Sequence, residues 1–168
     1  REKKLNETYF ENLKYQVKKM GGVLQKQVIG KQYKRRKKTL RKKANQGVDY
    51  FSMIAQLEPG KGYLAYFHAG ETYYAAEMYN ESMSYYEKSA IGAKKSKNKK
   101  IYALSINSMM AALGQKGISD VNRKKYLVKF YKIYLQKNPR SLNSKKVYQR
   151  LFSEYFKNND ITSAQKTL

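Results

Sequence analysis

At 168 residues the chain is long enough for one domain with its own core. Its 41% hydrophobic and 14% aromatic content exceeds that of a disordered basic tail, and two prolines with ten glycines give too few turn signals for an all-β chain. The absence of cysteine excludes a disulfide framework, a thiolate metal site and a cysteine nucleophile, and the net charge of +24 draws the chain towards polyanions.

Helical periodicity governs the pass along the chain. Over residues 6–20, Phe10, Leu13, Val17 and Met20 recur at spacings of three and four, with Asn6 as N-cap, and Gly21-Gly22 is expected to end this helix. Residues 23–46 are expected to form a second helix. It starts with Val23, Leu24 and Val28 and then runs through 31–43, where nine of thirteen residues are Lys or Arg. A short amphipathic helix with Val48, Phe51, Ile54 and Ala55 follows and stops at Glu58-Pro59-Gly60.

The pattern then becomes regular. Residues 62–77 and 79–90 read as an antiparallel helix pair, because the hinge between them is too short for anything else. A lysine-rich loop is expected over 92–100, a helix over 101–113, a loop over 114–120, and a helix over 121–137 that ends at Asn138-Pro139. The last pair is 143–157 with 161–168. Charge is unevenly spread: residues 62–93 hold Glu71, Glu77, Glu81 and Glu87 against Lys88, so that stretch is −3 and the remainder +27.

Residues 66–73 (Tyr-Phe-His-Ala-Gly-Glu-Thr-Tyr) resemble the first helix of a tetratricopeptide repeat, with an aromatic, a small residue, Gly70 and Tyr73 in the four slots. Ser82, Tyr86 and Ser89 fall in the second-helix slots. A later copy resembles the same pattern through Tyr148, Leu151, Phe152 and Tyr155, followed by Ala164 and Leu168, with Phe152 where the repeat has glycine. Between them, Ala103, Ile106, Asn107 and Met110 fit the first-helix slots weakly, while Leu127, Tyr131, Tyr134 and Pro139 fit the second-helix slots well. Residues 23–59 resemble a degenerate earlier hairpin ending at Pro59.

The resemblance implies an all-α fold of antiparallel hairpins stacked as a right-handed solenoid. Residues 1–61 would form basic N-terminal helices, and 62–168 would hold repeats at 62–93, 101–139 and 143–168, the last cut short. Arg1 in place of methionine and a terminal helix broken off at Leu168 suggest a piece of a longer protein, from which a signal segment could have been removed.

In that family the first helix of each hairpin lines a concave groove that holds a peptide. The implied partner-binding residues are Leu64, Phe67, Glu71 and Tyr74, then Ile101, Leu104, Ser108 and Ala111, then Lys146, Gln149, Ser153 and Phe156. The same apolar residues could instead pack between hairpins. Only Lys146 matches the Lys and Asn set with which some members grip a C-terminal carboxylate.

Catalysis is not expected. His68 is the only histidine, its pairing with Glu71 one turn away lacks a third ligand, and Gly114-x2-Gly117 lacks the lysine and serine of a phosphate loop. No cofactor or metal is expected, and no apolar run is long enough to span a membrane. The basic segment supplies a second candidate surface, for a polyanion: Lys31, Lys34, Arg35, Arg36, Lys37, Lys38, Arg41, Lys42 and Lys43. Only Tyr33 is there to stack on bases, so an acidic protein is favoured over nucleic acid. The expected function is a non-enzymatic scaffold or adaptor that binds a protein or peptide, with charge steering acidic partners. The alternative is a nucleic-acid-binding or other polyanion-binding protein. The residues do not indicate compartment or oligomeric state.

Overall fold

The structure, a computed structural model, describes residues 2–30, 36–137, 144–157 and 159–166. Among these every regular element is helical: α1 (Glu2–Ile29), α2 (Lys37–Leu57), a 3-10 turn (Pro59–Lys61), α3 (Gly62–Ala75), α4 (Tyr79–Lys95), α5 (Lys99–Leu113), α6 (Asp120–Lys137), α7 (Ser144–Lys157) and α8 (Ile161–Gln165). No described helix is long and apolar enough to cross a membrane. Two compact units divide the chain, Arg1–Gly117 and Ile118–Leu168.

In the first unit each helix packs on the next, and α3 also touches both α1 and α5. Cross-helix pairs fix the directions. Lys18 meets Glu58 and Leu24 lies beside Gly47, so α1 and α2 run antiparallel. Phe51 stacks on His68, Gly70 meets Tyr86 and Ser89 bonds Ser105, which extends the alternation through α5. α1, α3 and α5 are therefore parallel to one another. Gln25 reaches the His68 carbonyl at 3.1 Å, and Ser108 reaches Glu71 at 3.2 Å.

The core follows the helical period. Val17, Val48, Phe51, Ile54, Ala55, Ala65 and Ala69 form one buried cluster under Tyr50, Tyr66, Tyr73 and Tyr85. A second cluster joins Val28, Leu40 and Ala44 to Ala76 at the far end of the same helices. On α3, α4 and α5 small residues replace large ones: Thr72, Ser82, Ser89 and Ser105 are all 0% exposed. Their hydroxyls are satisfied locally. Ser105 donates to Ser89 Oγ at 2.9 Å, and Ser89 donates to the Tyr63 carbonyl at 2.7 Å, a chain that crosses three helices.

Three helix ends share one turn geometry. Glu77 (φ 59°), Lys97 (φ 54°) and Asn159 (φ 60°) are left-handed, and each lies two residues past the end of a helix. The amide of the next residue bonds back five positions: Met78 to Tyr73 O (2.9 Å), Asn98 to Ala93 O (2.8 Å) and Asp160 to Tyr155 O (3.0 Å). This is the Schellman closure, here built without glycine. The chain reverses within three residues each time, and Asn98 and Asp160 then cap the following helix through their side chains.

Several boundaries differ from the sequence expectation, and glycine explains most of them. α1 runs straight through Gly21-Gly22, because Gly21 sits against α2 where a Cβ would already be 3.4 Å from both Phe51 and Tyr50. α2 likewise runs through Gly47, where a Cβ would lie 3.4 Å from Leu24 Cβ and 3.6 Å from Thr72 Cγ2. The expected break there is absent, and 37–57 is one helix. α4 continues past Gly92 to Lys95, since Gly92 lets Tyr63 approach, whose Cβ would be 2.9 Å from an added Cβ. Much of the expected 92–100 loop is thus helix. None of the described glycines has positive φ. Gly21, Gly47 and Gly92 act as spacers between helices rather than as stops.

In the second unit α6 packs on α7 and α7 on α8. Leu135, Leu151, Tyr155 and Ala164 form its buried centre, with Val128, Tyr131, Val147 and Phe152 packed around it.

Candidate partner-binding face and its pocket

The eight expected partner-binding residues of α3 and α5 all lie in the first unit. Leu64, Phe67, Glu71, Tyr74, Ile101 and Ser108 are half-buried, and Leu104 is exposed. Glu71 is committed internally: Tyr86 Oη donates to its Oε1 at 2.6 Å and Ser108 Oγ at 3.2 Å, which ties α3 to α4 and α5. Burial, followed by the bond to Glu71, pushes the Tyr86 hydroxyl well above the ordinary phenol range. Tyr74 Oη accepts from Gln115 Nε2 at 3.0 Å, while its ring meets Tyr79 edge-on at 5.4 Å. Phe67 lies 5.9 Å from Tyr86. Leu64, Leu104 and Ala111 offer the more open apolar contacts of this row.

Lys146, Gln149 and Phe156 belong to α7 of the second unit, all three exposed; Phe156 stacks on Phe152 at 6.1 Å. Ser153 is half-buried beside them.

Sequence reasoning left α1 out of the face. The side chain of Gln25 bonds α3, and a cavity of about 400 Å³ opens between α1, α2 and α3. Its floor is Phe51, Ile54 and Ala65, all buried; Gly22, Leu64 and His68 form the walls. Lys18, Glu58 and Lys61 stand on the rim. Lys18 Nζ meets Glu58 Oε1 at 2.7 Å, and this bond, with added fields from Lys18, Lys14 and Lys61, holds the Glu58 carboxyl below its usual range. His68 stacks on Phe51 at 5.6 Å between centroids. Partial desolvation holds its imidazole below the usual value, opposed by the nearby Glu71 carboxylate. The doublet Gly21-Gly22 was the available signal: two adjacent small residues inside an apolar-periodic stretch leave room on both sides of a helix.

The polyanion candidates lie elsewhere. Lys31, Lys34 and Arg35 fall outside the described residues. Arg36 precedes α2, and Lys37, Lys38, Arg41 and Lys42 are exposed on its first turns, with Lys43 half-buried. Lys37 pairs with Glu77 at 3.0 Å. Among the described residues no three His, Cys, Asp or Glu side chains gather as a metal site, and Glu71, the neighbour of His68, is held by Tyr86 and Ser108.

Comparison with protein-family models, curated proteins and solved structures found no match to this chain.

Proposed function

We propose that the chain is a non-enzymatic adaptor, a tetratricopeptide-like right-handed array of helix hairpins that binds an acidic protein or peptide on the face shared by α1, α3 and α5. The carrying observation is the register between α1, α3 and α5. Gln25 and His68, Glu71 and Ser108, and Tyr74 and Gln115 are linked partners separated by 43, 37 and 41 residues, so α1 is tied to α3 and α3 to the α5 end at spacings close to the length of one two-helix repeat. The close fit of Gly70 against Tyr86 and the three matching turns between helices support the same reading. The charge of +24 would steer acidic partners, while apolar contacts on the face supply most of the affinity.

A polyanion reading keeps one observation in its favour, the exposed Arg36, Lys38, Arg41 and Lys42 around the start of α2. Salt dependence separates the two. Anisotropy titrations with a labelled peptide of Asp, Glu and Leu, and with random-sequence DNA, should be run from low salt to about 150 mM. Peptide binding that persists at the upper value while DNA binding is lost supports the adaptor. Tight DNA binding with a steep log-log salt slope, and no peptide binding, overturns it.

A further inference from the structure

The geometry points to the cavity between α1, α2 and α3 as a specificity pocket that takes one large apolar side chain of an acidic peptide. This inference rests on the adaptor reading and narrows it to a residue-level ligand chemistry. Three features argue for that occupant. The floor of Phe51, Ile54 and Ala65 offers no hydrogen-bonding group, so the deep end suits an aliphatic or aromatic side chain and would hold a polar metabolite poorly. A volume of about 400 Å³ admits a leucine or phenylalanine side chain with room for its own backbone at the mouth. At the rim, Lys18 and Lys61 stand with the single carboxylate of Glu58; Lys18 is paired with that carboxylate, while Lys61 is exposed. Cations outnumber acids there, so carboxylates flanking the apolar anchor would be attracted and basic flanks repelled.

The same combination recurs in the second unit, considered by itself. A cavity of about 410 Å³ has Leu135, Leu151 and Tyr155 at its base and Lys132 and Lys166 at its edge. Lys132 lies 5.5 Å from the centre of the Tyr155 ring. An apolar base edged by lysines is thus built twice from unrelated side chains.

Gly22 makes the test clean. It lines the first pocket, and a Cβ there would meet nothing within 4 Å, so Gly22→Leu should enter the cavity space from an unhindered Cβ. Helix propensity predicts that the variant melts no lower than the parent. The probes are an acidic peptide of Asp, Glu and Gly with one central Leu, and the same peptide with Ala at that place. At near-physiological salt the parent should bind the Leu peptide about tenfold or more tightly than the Ala peptide, the preference expected from burying one leucine side chain. Gly22→Leu should erase that preference, and Lys61→Glu should weaken both peptides and flatten their salt dependence. Equal affinity of the parent for both peptides, or a preference that survives Gly22→Leu, overturns the pocket and leaves the adaptor reading standing. If neither peptide binds, both fall. Concentration-dependent self-association dispersed by Gly22→Leu would make a second copy of the chain the occupant, and would likewise overturn the proposal.

Discussion

A Cβ placed on Gly70 would lie 2.5 Å from Cδ1 and 2.6 Å from Cε1 of Tyr86, a tyrosine only 1% exposed whose hydroxyl is held by Glu71. The ring has no free direction in which to retreat. Moving it would break the 2.6 Å hydrogen bond or push α4 off α3. Gly70→Ala should therefore destabilise, and Gly70→Leu more so, by about 1–3 kcal/mol as overpacking typically costs. At an exposed helical position the Ala substitution would instead stabilise by roughly 0.4–1 kcal/mol. Denaturant melts distinguish the two by sign.

The left-handed residues of the short turns predict the opposite effect for glycine. A non-glycine residue in this conformation costs roughly 1–2 kcal/mol, part of which glycine returns through its more flexible unfolded chain. Lys97→Gly should raise stability by about 0.5–1 kcal/mol. Lys97→Ala is the control: it removes the same charge from the lysine-rich turn but keeps the strain, so it should fall short of the glycine variant in thermal melts.

The buried hydroxyl chain predicts coupling between two serines. Ser89→Ala strands the Ser105 hydroxyl and removes the donor to the Tyr63 carbonyl, which should cost about 1–3 kcal/mol, whereas Ser105→Ala leaves the Ser89 bond to Tyr63 intact and should cost less. Replacing both leaves no stranded hydroxyl. The double variant should lose less than the two single losses together, and strict additivity in a double-mutant cycle would contradict the arrangement.

His68 sets a pH dependence whose sign follows from its environment. Its folded-state pKa is lowered by desolvation, so the folded chain binds the proton less readily than the unfolded chain. The stabilising contribution is complete above the unfolded imidazole pKa of about 6.5 and is lost as pH falls from there through the folded value. Chemical melts at pH 7.5 and just above the carboxylate range should show a stability drop that His68→Gln reduces. As the only histidine, His68 also gives a single imidazole titration by NMR, with a midpoint expected below that of a free peptide.

Helix content was legible because the apolar period persists through nearly every segment, and the hinge at 76–78 was legible because so short a link permits only reversal. Glycine misled the reading. In a single helix Gly21, Gly47 and Gly92 look like weak points, and only the neighbour across the interface, Phe51, Leu24 or Tyr63, reveals them as spacers. Leu64 and Phe67 could be placed on an inter-helix row from their spacing alone. The contribution of α1 could not: Lys18, Gly22 and Gln25 face α3 only because α1 continues unbroken past the glycine pair, and that continuity depends on packing against α2. Glu71 was a plausible ligand contact by register, but its bonds to Tyr86 and Ser108 depend on two other helices and leave no trace in local sequence.

The central claim, that the shared face of α1, α3 and α5 is the binding surface, is tested most directly by amide chemical-shift mapping during titration with the Leu-centred acidic peptide. The account predicts saturable shifts that cluster at Gly22, Gln25, Leu64, His68 and Leu104, with little change across residues 36–43. Shifts confined to the basic start of α2, with the α1 and α3 pocket residues unmoved, would contradict it.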